Sequence, residues 1–235
     1  MTEPHPVVAH PQWLAARTSL LEKEKEFTRA RDALNALRRA LPWEAVHKDY
    51  VFEGPAGSKS LAELFDGRSQ LIVYHFMFGP DWEAGCPACS FWADNFNPNI
   101  VHLRSRDVSM VAISRAPNAK LAAYQKRMGW SFPWYSSGAN TFNTDYGVAF
   151  SPEEIASKRA FYNYDWRDPG VAEREGASVF HRDGSGRIFH TYSAYARGID
   201  LVNTAYNYMD MTPKGRDENG GNVGDWVRRR DEYAD

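Results

Sequence analysis

The sequence predicts an α/β protein, a three-layer sandwich around a central mixed sheet, with a helical extension at its N-terminus. Three observations lead there. Strand-like and helix-like segments alternate between residues 46 and 128. A hairpin follows, signalled by Asp183-Gly-Ser-Gly186 between two runs rich in aromatic and β-branched residues. A last helical segment, near Ile199 to Tyr208, closes the order.

Each element has its own signal. From Trp13 to Leu41, the residues Phe27, Ala30, Leu34, Leu37 and Leu41 recur at spacings of three and four, an apolar stripe on one helix face. The run Glu22 to Glu26 is fully charged, and Pro42 ends the helix. The stripe suits docking on the body of the same chain, the blander reading, or pairing with a second copy as a homodimer. Residues 1 to 12, rich in Pro and His, read as loose. Val46 to Glu53 alternates weakly as a strand. Ser60-Leu-Ala-Glu63 is a capping box that starts a helix ending near Gly67. Gln70 to Phe76 reads as a buried strand and Cys86 to Phe96 as a helix, interrupted by Asn97-Pro98; Ile100 to Ser105 adds a further helical turn. Val108 to Ser114 is a strand and Asn118 to Met128 a helix. Residues 129–150 read as loops around a short strand, and 151–176 as irregular. Ala177 to Arg182 and Arg187 to Tyr192 are the hairpin strands. The division is therefore an extension over 1–45, a sandwich domain over 46–212 and a polar tail over 213–235.

Bulk properties exclude several classes. Lys plus Arg number 28 and Asp plus Glu 30, a balance that argues against a general binder of nucleic acid or membrane surface. No apolar run approaches the ~20 residues of a membrane-spanning helix. Met1 to Pro11 lacks the basic and apolar regions of a secretory signal, so the expected compartment is cytoplasmic. Two cysteines are too few for a disulfide scaffold, and in the cytosol a lone Cys-x-x-Cys points to catalysis, redox sensing or metal.

Those cysteines are Cys86-Pro87-Ala88-Cys89, at the junction of a strand and a helix. That is where a thioredoxin-like fold keeps its dithiol. A helix N-terminus offers unpaired N–H groups that favour a thiolate. Pro87 suits the first turn, where its missing N–H costs nothing. Cys86 is the expected nucleophile and Cys89 the resolving thiol. His75, ending the preceding strand, is placed to tune the nucleophile or to be a core histidine. Asp81 and Glu83 read as solvated or capping residues. Trp82, Phe91, Trp92 and Phe96 surround the dithiol in sequence and line a substrate groove or fill the core. His190, Tyr192 and Arg197 form a second candidate group, with Arg197 suited to an anion or to a structural ion pair. Lys214 and Arg216 sit in a stretch read as a solvated loop. Zinc has no second ligand pair here; copper on the thiolates with His75 or His190 stays open. No phosphate loop or dinucleotide fingerprint appears, and no organic cofactor is implied.

Tyr74-His-Phe-Met-Phe-Gly-Pro-Asp-Trp82, running into Gly85-Cys-Pro-Ala-Cys-Ser-Phe-Trp-Ala-Asp94, resembles a bacterial thioredoxin-like family of unknown function. Its members are labelled predicted dithiol-disulfide oxidoreductases, on the branch shared with peroxiredoxins. Phe189 to Gly198 and Tyr206 to Arg216 resemble it too. The resemblance implies the thioredoxin-like fold and a dithiol at Cys86 and Cys89. The chain departs from better-known relatives twice. Gly176 to Phe180 lacks the cis-proline by which thioredoxins hold a peptide, and Glu83 and Ala84 stand where a peroxiredoxin would carry a hydroxyl. Thiol–disulfide exchange on a protein or small-molecule disulfide is the leading expectation. A thiol peroxidase of unusual geometry, a copper- or zinc-handling protein and a redox-inert binding scaffold are the alternatives.

Overall fold

The computed structural model describes residues 5–218, 221 and 223–234. They form two compact units, Met1–Pro42 and Trp43–Asp235, with Met1 to Pro4 outside the described residues. The first unit is one helix, α1 (His10–Arg39), which begins inside the stretch read as loose. Pro11 sits in its first turn, and pairs such as Lys23–Glu26 and Arg17–Glu24 run along its polar face.

The second unit is built in the order β1 (Glu44–Ala45), β2 (Val51–Gly54), β3 (Gly57–Ser60), α2 (Leu61–Leu64), β4 (Gln70–His75), α3 (Pro87–Ala93), α4 (Asn97–Ser105), β5 (Val108–Ser114), α5 (Asn118–Met128) and β6 (Trp134–Ser136). It continues with α6 (Phe142–Asp145), α7 (Pro152–Ala156), β7 (Ala160–Tyr162), β8 (Asp165–Arg167), β9 (Gly176–Arg182), β10 (Ile188–Tyr195) and α8 (Thr204–Met209). Eight strands make one mixed sheet in the order β1-β10-β9-β4-β5-β6-β2-β3. At its centre β4 and β5 are parallel, and β9 runs against both β4 and β10. With α3 following β4 and α8 following β10, this is the strand order of a thioredoxin-like fold.

Alternation along the strands fills the two faces of the sheet. Leu71, Val73, Val111 and Ile113 join Phe52, Leu64, Phe142 and Phe180 on one face. Tyr74, Phe76 and Ala112 join Trp92, Phe96, Tyr124 and Trp134 on the other, under α3 and α5. The second face carries the dithiol.

Several expectations are corrected by tertiary context. The weak strand expected over 46–53 is extended structure only at its end, in β2, while β1 lies just ahead of it and joins the far edge beside β10. Asn97-Pro98 opens α4 rather than interrupting a helix, because a proline is tolerated in a first turn. The stretch read as irregular contains α7, capped by Ser151, whose hydroxyl accepts from Glu154 N–H, and the ribbon β7–β8. The closing helix is split: a 3₁₀ stretch, Ala196–Val202, precedes α8, which Asn203 caps through two N–H groups.

Candidate active site

The strand β4 ends at His75, but the backbone stays paired beyond it: Phe76 N–H donates to Ile113 and Ala116 N–H to the Phe78 carbonyl. The loop that follows folds back, and Cys86 N–H donates to the Met77 carbonyl at 3.1 Å. This return sets Cys86 at the N-cap of α3, half-buried, with Pro87 in the first turn. Gly85 makes the return possible. A Cβ there would lie 2.7 Å from the Phe76 ring and 2.8 Å from the Tyr124 ring. Ser90 holds the turn from inside, its hydroxyl donating to the Cys86 carbonyl at 2.8 Å and lying 2.9 Å from the Tyr124 hydroxyl.

Both thiols are free. Cys89 is buried and accepts the Met77 N–H at 3.4 Å. The two sulfurs are tuned in opposite directions. The Cys89 thiol, followed by the Cys89 and Ala88 N–H groups, holds the Cys86 thiol below its ordinary pKa against the opposing effect of burial. Burial, then the hydrogen bond to Cys86, pushes the Cys89 thiol well up. The Glu175 carboxylate, just ahead of β9, raises both.

The candidate residues divide between the faces. Trp82 and Tyr192 are half-buried and, like Cys86 and Phe91, pack against the core cluster on the dithiol face of the sheet. Trp92 belongs to the core: it is buried, and its Nε1–H donates to the Ile199 carbonyl at 3.0 Å. Arg197 projects outward, 89% exposed, at 3.5 Å from Asp200, and shares a shallow groove with Tyr192. His75 does not meet the cysteines. Tyr74 occupies the dithiol face, so its neighbour on the strand faces the other way, between Phe142 and Tyr146. There a buried chain runs from His75 Nε2 to Ser178 Oγ (2.8 Å), to Ser193 Oγ (2.8 Å), to His190 Nε2 (2.7 Å). Burial, then the nearby His190, pushes His75 down to about 3, so it is a neutral core histidine. A register shift in β10 between His190 and Tyr192 turns His190 and Ser193, three residues apart, to one side. Asp81 and Glu83 are exposed. Arg216, in the presumed solvated loop, is held at 2.8 Å from both Asp200 and Asp210, over the Tyr206 ring. Among the described residues no group of three or more His, Cys, Asp or Glu side chains is placed to hold a metal ion. No helix among them is long and apolar enough to cross a membrane.

Three features of the site escaped the sequence reading. Tyr74, inside the strand, is buried beside Cys89. Glu175, at the end of the loop ahead of β9, acts on both thiols through its charge. Arg229 donates from Nε and Nη2 to the Gly85 carbonyl at 3.1 and 2.9 Å. Alternation gives a signal for Tyr74 once Cys89 is assigned to its face; the other two interactions link residues far apart in sequence and leave none.

Comparison with known proteins adds a family. The family described as a bacterial protein of unknown function (DUF899) matches residues 2–233. No curated protein matches the chain. Among solved structures, peroxidoxin BcpB from Mycobacterium tuberculosis is similar at 14% identity and TM-score 0.47, over 70% of this chain and 94% of that one. A Xanthomonas campestris peroxiredoxin Q is similar at 11% identity and TM-score 0.47, over 68% and 93%. A hypothetical protein from Sinorhizobium meliloti is similar at 16% identity and TM-score 0.40, over 67% and 74%.

Proposed function

The chain belongs to this bacterial family of unknown function, DUF899, and we propose for it a thiol–disulfide exchange activity in which Cys86 attacks and Cys89 resolves. One observation carries the reading: two free thiols one helical turn apart, the outer one eased towards its thiolate by the inner thiol and by helix N–H groups. The half-buried Cys86 thiolate attacks a substrate disulfide and forms a mixed disulfide. Cys89 then attacks the Cys86 sulfur, the internal disulfide closes and the substrate leaves reduced. Trp82 and Tyr192, half-buried against the same core cluster as Cys86, are the candidate side chains to meet that substrate. His75 and His190 have no part in the exchange, because they lie across the sheet.

A redox titration tests the proposal. The protein is equilibrated in graded thiol–disulfide buffers, alkylated and weighed. The expected result is a single two-electron transition between about −200 and −300 mV. Thiols that stay reduced and unreactive through that range would overturn it.

A further inference from the structure

Tyr74 is 1% exposed, and its hydroxyl has no hydrogen-bond partner. A buried orphan hydroxyl is costly, and each one in a folded protein calls for an explanation. The group it lies against is the Cys89 sulfur, in the same buried cluster. A neutral thiol is a weak acceptor, whereas a thiolate is a strong one. Cys89 already receives one donor, the Met77 N–H at 3.4 Å.

We propose that the Tyr74 hydroxyl and the Met77 N–H form a two-donor seat for the Cys89 thiolate and so activate the resolving thiol. The inference rests on the exchange activity proposed above. The seat is incomplete while Cys89 is protonated and complete when it is charged, which is the pattern expected of a group that lowers a barrier rather than one that binds the ground state. It answers a problem the fold creates, since burial opposes the charge that resolution requires. In the step itself the Cys89 sulfur bonds to the Cys86 sulfur and the bond from Cys86 to the substrate sulfur breaks. The departing sulfur takes the bonding pair and then the proton that Cys89 released. Over the whole exchange the dithiol loses two electrons and the substrate disulfide gains two. The other charged or titratable groups around Cys89 are Cys86 on the same turn and Glu175 ahead of β9, both of which raise its pKa, with Arg229 at the Gly85 carbonyl beyond.

Ellman's reagent, an aromatic disulfide, separates the two steps on the full chain. Attack by Cys86 releases one coloured thiolate, and resolution by Cys89 releases the second. In Tyr74→Phe the second release is expected to slow about 10- to 100-fold more than the first, the size of a lost charge-assisted hydrogen bond. Its pH midpoint is expected to move up by about one unit or more, a displacement that looser packing alone would not give. Removing an orphan hydroxyl leaves no partner unsatisfied, so the variant should melt at or above the wild-type temperature. Equal second-phase rates and midpoints in the two proteins would overturn the role of Tyr74 and leave the exchange activity standing. A wild type that never releases the second thiolate would overturn both. If Tyr74→Phe does not fold, the Cys86→Ser protein supplies the answer: ionisation of Cys89 should shift a tyrosine hydroxyl Raman band towards a donor, and an unshifted band would overturn the seat.

Discussion

Glu173 is a buried carboxylate, 2% exposed, 2.9 Å from the Arg115 guanidinium. Burial outweighs that cation and pushes its pKa up to about 7, from an ordinary 4.5. The folded state therefore holds this proton more tightly than the unfolded chain. Its contribution to stability is complete below about pH 4.5 and is lost as pH rises through 7. His75 acts with the opposite sign. Its pKa falls from 6.5 to about 3, so its contribution is present above pH 6.5 and lost as pH falls towards 3. Between about 4.5 and 6.5 the two slopes oppose each other. Removing one should expose the other: in Glu173→Gln, stability should fall more steeply than in wild type as pH drops below 6.5, by a few kcal/mol at most. Urea unfolding across pH 4 to 8 checks this, and parallel curves for the two proteins would refute it. His75 also marks what was legible at this scale. The cysteines and the strand before them were plain in the sequence. Of the two readings open for His75, the two-residue alternation along β4 favours the core one, across the sheet, where only folding brings Ser178, Ser193 and His190 within reach.

Elements read best where local pattern and tertiary demand agree. The strand β5 and the helix α5 match their sequence spans residue for residue, because an apolar run and a three-four spacing both point to a buried face. The capping box at Ser60 is present, with Ser60 Oγ accepting from Glu63 N–H. The ribbon β7–β8 was not legible: it has three residues per strand, and its turn places Asn163 and Tyr164 at φ 53° and 63°, a conformation asparagine favours but tyrosine does not announce. The loop into α3 owes its shape to close approach rather than to propensity. Gly85→Ala should therefore destabilise the protein by about 1–3 kcal/mol, because the new methyl meets two buried rings. It should also displace Cys86 and slow its alkylation. A variant that melts and reacts like wild type would show that Phe76 and Tyr124 yield freely.

The molecule closes on itself at the dithiol. The sheet order was predictable as a class, since alternation followed by a hairpin leaves few topologies. The role of the C-terminal tail was not, because its composition is polar and its partners lie far away in sequence. Val227 is nonetheless buried, the Trp226 ring meets Phe91 edge-on at 5.4 Å, and Arg229 clamps the Gly85 carbonyl. Arg127 of α5 pairs with Asp231 at 2.7 Å and with Glu232 at 2.9 Å, fixing the segment beside the cysteine helix. These exposed pairs contribute little each, so the buried valine and the tryptophan supply most of the hold. A chain ending at Glu218 loses all of these contacts. Its melting temperature should fall by several degrees, given about 2–4 °C per kcal/mol for a unit of this size. Cys86 should react several-fold faster with iodoacetamide, since the carbonyl next to it is released and the face of Phe91 opens. A truncated chain whose Cys86 reacts at the wild-type rate would mean that the tail braces the helix without screening the thiol, and substrate would then approach from the Trp82 and Tyr192 side alone.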